Sequence, residues 1–195
     1  MAGSRGLRLL VVDDDVDVAD AYASQLRERY DVETAYSGEG ALSALAPDVD
    51  IVLLDRRMPK LSGCEVLDAI RERGLETRVA MVTAEEPDFD IIEMPFDEYV
   101  QKPVTQDALF ETVAHLGRCV HYEEQVREYY ALTAKRSALL SSKSDEELAA
   151  TAQYQTLLAD IEAARESLSA LVADFDHADF DRAFRDIERS STSAD

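Results

Sequence analysis

Residues 7–15 read LRLLVVDDD, an apolar run that stops abruptly on three aspartates. Such a near-continuous run suits a parallel strand buried on both faces, where no solvent side imposes alternation. Two similar runs follow at Ile51–Leu54 and Arg78–Val82, with two weaker ones at Val32–Tyr36 and Tyr99–Gln101. Helix signals fill the gaps. Asp15 caps a first helix carrying Ala19, Tyr22 and Leu26 on one face, and Ser37 caps a segment through Leu45. Ser62 with Glu65 forms an S-x-x-E capping box before Val66, Leu67 and Ile70, and Gly74 supplies the stop. Strands alternating with helices over crossovers of this length predict right-handed parallel units, hence a doubly wound α/β sheet of five strands, in which an order of 2-1-3-4-5 makes the first and third strands neighbours.

Composition narrows the function classes. The 195 residues carry 20 Lys and Arg against 41 Asp and Glu, a formal charge of -21. That balance argues against a duplex-binding surface spread over the molecule, because phosphate contacts need clustered positive charge. An apolar content of 46% is ordinary for a packed core, so wholesale disorder is not expected. No apolar stretch reaches the length of a membrane span, and MAGSRGLRLL lacks the pattern of a signal peptide, so a soluble cytoplasmic protein is expected. Cys64 and Cys119 have no metal-ligand spacing and read as buried or incidental thiols. Only Lys60, Lys102, Lys135 and Lys143 are lysines; the other 16 basic residues are arginines. An acidic, lysine-poor surface repels itself in dilute buffer and is relieved by concentrated salt, and the bias resembles that of halophilic archaeal proteins.

The polar residues fall at strand ends. Asp13 and Asp14 follow the first strand, Asp55 follows the third, Thr83 the fourth, and Lys102 closes the fifth. In an open parallel sheet these carboxyl ends converge on one edge, at the switch point where strands one and three are neighbours. Three ionised carboxylates gathered there would repel one another without a counter-charge, and hard oxygen ligands select magnesium. Lys102 adds a second positive charge and Thr83 a hydroxyl donor. Together these groups suit stabilisation of a phosphoryl group on a carboxylate oxygen, with Asp55 the best nucleophile because it stands alone on the central strand.

VVDDD at 11–15, LLDRRMP at 53–59, MVTA at 81–84 and YVQKP at 99–103 closely resemble the receiver (CheY-like) domain of two-component response regulators, in order and over about residues 1–117. The resemblance implies a flavodoxin-like fold and a phosphorelay switch that is not an enzyme beyond promoting its own phosphorylation and dephosphorylation. It also implies Asp55 as phosphoacceptor from a sensor histidine kinase, and Mg2+ held directly by Asp14, mainly through water by Asp13, and by Asp55 and the Arg57 backbone carbonyl. Thr83 would hydrogen-bond the phosphoryl oxygen, Lys102 would ion-pair with it, Tyr99 would be a switch that swings inward, and the Lys102–Pro103 bond would be cis. Two other readings of the acidic run are weaker. An aspartate-nucleophile phosphatase of the haloacid-dehalogenase kind fits Asp13 and Asp15, but Asp17 stands where that family wants Thr or Val; an EF-hand loop has Val18 at its turn glycine. One departure from receivers is that EEPDFDIIEMPFDEYVQ at 85–101 is short and contains Pro87 and Pro95. The fourth helix is therefore expected to shrink to about Asp88–Glu93 or to be irregular, which puts dimerisation through that face in doubt.

Residues 118–195 differ in kind, with no proline, no convincing strand, and 9 basic against 16 acidic residues. From Gln106 to about Leu140 only Gly117 interrupts helical sequence, so one helix is expected to run from the receiver into a second domain at 118–190. Ser144 with Glu147 makes another capping box after a turn near Ser141–Ser144. The following helix sets Tyr154, Leu158, Ile161, Arg165, Leu168, Val172 and Phe175 in a coiled-coil-like seam broken by Arg165, and Asp179–Arg189 reads as a short third helix. Residues 191–195 read as a disordered tail. EYYALTAKRSAL at 128–139, SDEEL at 144–148 and AFRDIE at 183–188 resemble the HalX domain attached to haloarchaeal receivers. A seam this apolar wants cover, from an intrachain all-α helical hairpin and from a homodimer or another protein partner. No helix-turn-helix spacing appears, so sequence-specific DNA binding ranks below protein–protein signalling, although transcriptional regulation stays within the reading. A constitutive interaction module, indifferent to phosphorylation, is the alternative.

Overall fold

Parallel backbone pairing assembles β1 (Arg8–Val12), β2 (Asp31–Ala35), β3 (Ile51–Leu54), β4 (Arg78–Thr83) and β5 (Glu98–Gln101) into one sheet of order β2-β1-β3-β4-β5. The computed structural model of the chain describes the backbone of residues 6–192 and the side chains of residues 6–173. Two compact units divide the chain, Met1–Gly117 and Arg118–Asp195.

In the first unit the apolar runs of β1, β3 and β4 are buried almost end to end, as expected for strands covered on both faces. Leu10, Val12, Val52, Leu54, Val79 and Met81 share one core with Val66, Leu67 and Ile70 of α3 (Gly63–Glu72) and with Ala41 of α2 (Gly38–Ala44). The alternate residues Leu9, Val11, Ile51 and Leu53 point to the other face. There α1 (Val16–Leu26) buries Ala19, Ala23 and Leu26, and α4 (Gln106–Leu140) buries Leu109, Val113 and Leu116.

Each helix begins where its cap stands. The Asp15 carboxylate accepts the backbone N–H groups of Asp17 and Val18, and Ser37 accepts that of Gly40. Ser62 and Glu65 close a reciprocal capping box. Between β4 and β5 the chain makes only a 3₁₀ turn over Phe89–Glu93, the reduced fourth helix that Pro87 and Pro95 foreshadow.

Gly117 belongs to close packing rather than to a break. A Cβ there would lie 2.6 Å from Leu7 Cδ1, so α4 passes straight through the glycine and presses against the entry to β1.

The second unit corrects three expectations. The Ser144–Glu147 capping box opens only a short α5 (Asp145–Ala149), not the long helix itself. The chain restarts at Thr151, whose carbonyl accepts the Tyr154 and Gln155 N–H groups at the head of α6 (Ala152–Thr192). Next, Asp179–Arg189 is no separate helix: α6 runs through it to Thr192, because residues 152–192 hold neither glycine nor proline to stop it. Ser191 and Thr192, assigned above to a tail, are therefore helical; residues 193–195 lie outside the described residues. Third, Arg165 does not interrupt the seam. It is exposed and pairs with Glu162, while Ala164 is buried in its place beside Ile161 and, on α5, Leu148. Likewise Val172 faces outward and Leu171 is partly buried; the side chain of Phe175 lies outside the described residues. Arg165 of α6 lies near enough to Tyr129 of α4 to interact electrostatically, which marks the return of the hairpin.

Gly63 is the tightest glycine. A Cβ there would come 2.1 Å from the Asp55 carbonyl oxygen and 3.0 Å from Arg56 Cα. Gly63→Ala is expected to destabilise the first unit by on the order of 1–3 kcal/mol, the usual range for overpacking. Chemical denaturation compared with a control at Gly6, where nothing lies within 4 Å, measures this.

Candidate functional site

The sheet's own hydrogen bonds carry the polar residues to its rim. One residue beyond β1, Asp13 N–H donates to the Ala35 carbonyl at 3.2 Å; one beyond β3, Asp55 N–H donates to the Val12 carbonyl at 2.8 Å. One beyond β5, Lys102 N–H donates to the Thr83 carbonyl at 2.8 Å. Register therefore fixes three charged side chains at the carboxyl ends of β1, β3 and β5, before any side-chain interaction is counted.

Their side chains meet. Lys102 Nζ lies 2.6 Å from Asp13 Oδ2 and 2.7 Å from Asp55 Oδ1. The second oxygens are engaged by backbone: Asp15 N–H donates to Asp13 Oδ1 at 3.0 Å, and Arg57 N–H donates to Asp55 Oδ2 at 2.7 Å. Asp13 and Asp55 are only 4% and 6% exposed. Two buried carboxylates thus share one ammonium, which leaves the cluster one negative charge in excess. Burial pushes the Asp55 carboxyl above the usual aspartate range and Asp13 pushes the same way, while Lys102 and the Arg57 N–H pull it back. For Lys102, burial alone would lower its affinity for a proton, and the hydrogen bonds and charges of Asp13 and Asp55 overcome it, so the value rises.

The remaining sequence candidates are placed unequally. Thr83 ends β4, is 1% exposed, and its hydroxyl oxygen accepts the Glu85 N–H at 3.3 Å. Tyr99 lies in β5 with its ring 5.6 Å from that of Phe96, and its hydroxyl donates to the Glu85 carbonyl at 3.0 Å. Asp14 is exposed, and no described residue hydrogen-bonds its carboxylate. Arg57 enters through its backbone N–H, which donates to Asp55, and its side chain pairs with Glu85. The Lys102–Pro103 peptide is cis. Cys64 and Cys119 are free and partly buried.

Among the described residues no three His, Cys, Asp or Glu side chains form a ready cage for a metal ion. The donor set nonetheless fits magnesium, which is content with one or two carboxylates and keeps several waters. Its oxygens are hard, the cluster lacks one positive charge, and Asp14 stands exposed beside it.

Sequence reasoning missed two participants. Tyr22, read only as a core residue of α1, reaches the backbone of Val104 and senses the charges of Lys102, Asp13 and Asp55; burial raises its hydroxyl above the usual range. Glu85, two residues past Thr83, binds Arg56 Nε at 3.0 Å and also pairs with Arg57. The adjacent arginines after Asp55 were the available signal for Glu85; nothing in the sequence marked Tyr22.

The raised Asp55 value fixes a sign. A carboxylate that ionises less readily folded than unfolded lowers stability as pH rises from its ordinary value through its folded one. Asp55→Asn should therefore be more stable than wild type at pH 7 in metal-free buffer, by roughly 2–4 °C in melting temperature per kcal/mol regained. The gap should close below the ordinary aspartate range. Calorimetry of both proteins across pH 3–7 checks it.

Comparison with known proteins agrees with this geometry. The response regulator receiver domain model matches residues 9–114, and the HalX domain model matches residues 118–184. A candidate transcriptional regulator of Haloferax volcanii is 47% identical over 193 residues, covering 95% of this chain but 33% of its own length. The transcriptional regulatory protein CpxR of Escherichia coli is 34% identical over 122 residues, 60% of this chain and 52% of CpxR. The chain thus spans a third to a half of the curated relatives it matches. Among solved structures, a CheY-like receiver domain protein of Methanospirillum hungatei superposes with a TM-score of 0.57 at 25% identity, covering 61% of this chain and 99% of that one. The BeF3-activated receiver domain of DrrB superposes at 0.53 and 29% identity, over 57% of this chain and 97% of its own. Among the described residues no helix is long and apolar enough to cross a membrane. With its sheet order, its strand-end residues and these matches in accord, the chain belongs to the response-regulator receiver family and carries a HalX domain after the receiver.

Proposed function

We propose that this protein is a phosphorylation-dependent switch of a two-component system, with Asp55 as the phosphoacceptor. The observation that supports it best is the Asp13–Lys102–Asp55 cluster, a buried pair of carboxylates one positive charge short of neutrality. Asp13, Asp14, Asp55 and the Arg57 backbone carbonyl would hold Mg2+. When bound, the ion supplies charge neutralisation at the transferring phosphoryl oxygens.

Asp55 acts as the nucleophile. One of its carboxylate oxygens forms the new phosphorus–oxygen bond, while the phosphorus–nitrogen bond of a kinase phosphohistidine breaks and its electron pair stays on the imidazole. Lys102 already sits 2.7 Å from Asp55 and moves its ammonium onto a phosphoryl oxygen of the product. The buried Thr83 hydroxyl, which accepts the Glu85 N–H here, turns its hydrogen to a second oxygen. Both motions pull on the ends of β4 and β5. Tyr99, tied to the same Glu85 backbone, gives up its bond when that loop shifts, which is how it serves as the switch. The added phosphoryl charge is a local event that biases a two-state element, and α4, which leads from the receiver into the HalX domain, is the element that carries the change onward. The proposed output is protein–protein signalling in the control of transcription, in the acidic, salt-adapted interior that the lysine-poor composition suits.

The test is direct. Acetyl phosphate with Mg2+ in concentrated salt should add one phosphoryl group to the wild-type protein by intact mass, and none to Asp55→Asn. Chelating the metal should abolish most of the labelling. Equal labelling of the variant overturns the assignment, and oligomeric state by light scattering with and without beryllofluoride separates the switch from a constitutive interaction module.

A further inference from the structure

The second unit holds less core than its helices need. Among its described side chains only Leu148, Ile161 and Ala164 are buried. Along α6 the residues Tyr154, Leu157, Ile161, Ala164, Leu168 and Leu171 recur at spacings of three and four, the a and d rows of a heptad. In a chain that is 31% charged, none of these positions carries a charge. Yet Tyr154, Leu157, Leu168 and Leu171 are only partly covered, and Val172, beside the same rows, is 44% exposed. On α4 the row of Tyr129 and Thr133 is likewise partly covered and ends in Leu140, 47% exposed. The hairpin thus closes around its middle and leaves the rest of an apolar face half open along both helices.

We propose that this face pairs with the same face of a second copy of the chain, so that two hairpins share one four-helix core. Its size suits that occupant. Residues 152–173 give about 33 Å of helix, and two helices side by side are about 20 Å wide. A face of that order, roughly 600–700 Å², comes close to the roughly 800 Å² per partner of a stable interface. A two-fold pairing asks that one patch complement itself. Heptad rows without a charge do so, because each side chain seats among four residues of a facing helix. Charge points the same way. A partner drawn by the chain's charge of -21 would be basic and would seek Asp160, Glu162 and Glu166, which are exposed and lie off these rows. The seam itself offers only shape and apolar surface. Repulsion between two acidic chains is screened by concentrated salt, the condition that the composition suits.

Sedimentation velocity of the full chain over a dilution series in concentrated salt tests this, with and without beryllofluoride and Mg2+. The wild type should sediment as a dimer that dissociates on dilution. Val172→Glu sets an unpaired carboxylate on each side of the interface and should raise the dissociation constant about 10–100-fold. Leu140→Glu repeats the test from α4 and should act in the same direction. Ala170→Glu adds the same charge at an exposed position on the opposite side of α6 and should leave the constant unchanged. Circular dichroism should be alike in all of them, which separates loss of pairing from loss of fold. The pairing does not depend on Asp55: acetyl phosphate should label every variant as it labels the wild type, and failure of that labelling throughout would count against the phosphoacceptor alone. A wild type that stays monomeric in both conditions overturns the proposal. So does a dimer that Val172→Glu and Leu140→Glu leave as tight as Ala170→Glu does.

Discussion

One ammonium between two buried carboxylates organises the rim of this sheet. Lys102 reaches Asp13 and Asp55 at 2.6 and 2.7 Å, and each of those aspartates is held at its other oxygen by a backbone N–H group. Removing the lysine would leave two buried anions unpaired, a loss of about 3–5 kcal/mol for a single buried pair. Yet the arrangement is not balanced even with Lys102 in place, since two negative charges face one positive. In the proposed function, that residual charge is what a bound cation would relieve, so that a transferable anion could join it. Structure and chemistry are here one constraint: the fold holds the carboxylates closer than they would choose.

The constraint is set by the backbone. Parallel pairing of β1 with β2, of β3 with β1 and of β5 with β4 continues for one residue past the strands, and those extra bonds place Asp13, Asp55 and Lys102 at the rim. Gly63 extends the same logic to the loop after Asp55, because only a residue without Cβ lets α3 start so near the Asp55 carbonyl. The site is therefore a property of the sheet and of one turn, while Glu85, Arg56 and Arg57 form an outer ring of paired charges that sequence alone did not connect.

Much of this was legible in the sequence, for reasons that can be named. Buried parallel strands write themselves as apolar runs, so β1, β3 and β4 were found, and a charged residue directly after such a run has to lie at the carboxyl edge. Capping residues announced α1, α2 and α3 because their side chains make the first bonds of each helix. Two prolines predicted the shrunken segment at Phe89–Glu93. Legibility failed where the deciding contact is tertiary. Arg165 and Ala164 are adjacent, and a seam drawn by spacing of three and four admitted either; packing chose the smaller, apolar one. The restart at Thr151 and the unbroken run of α6 were likewise invisible to caps alone, since a capping box marks where a helix begins and says nothing of how far it goes.

The central claim is that Asp55 is held ionised at a cost, in a cluster short of positive charge. Carbon-13 resonance of the Asp55 carboxyl, followed against pH with and without Mg2+, measures it most directly. The account predicts a midpoint above the ordinary aspartate value of 3.8 in metal-free protein, falling when Mg2+ is added. A midpoint at or below 3.8 without metal, or one that Mg2+ leaves unmoved, would contradict it.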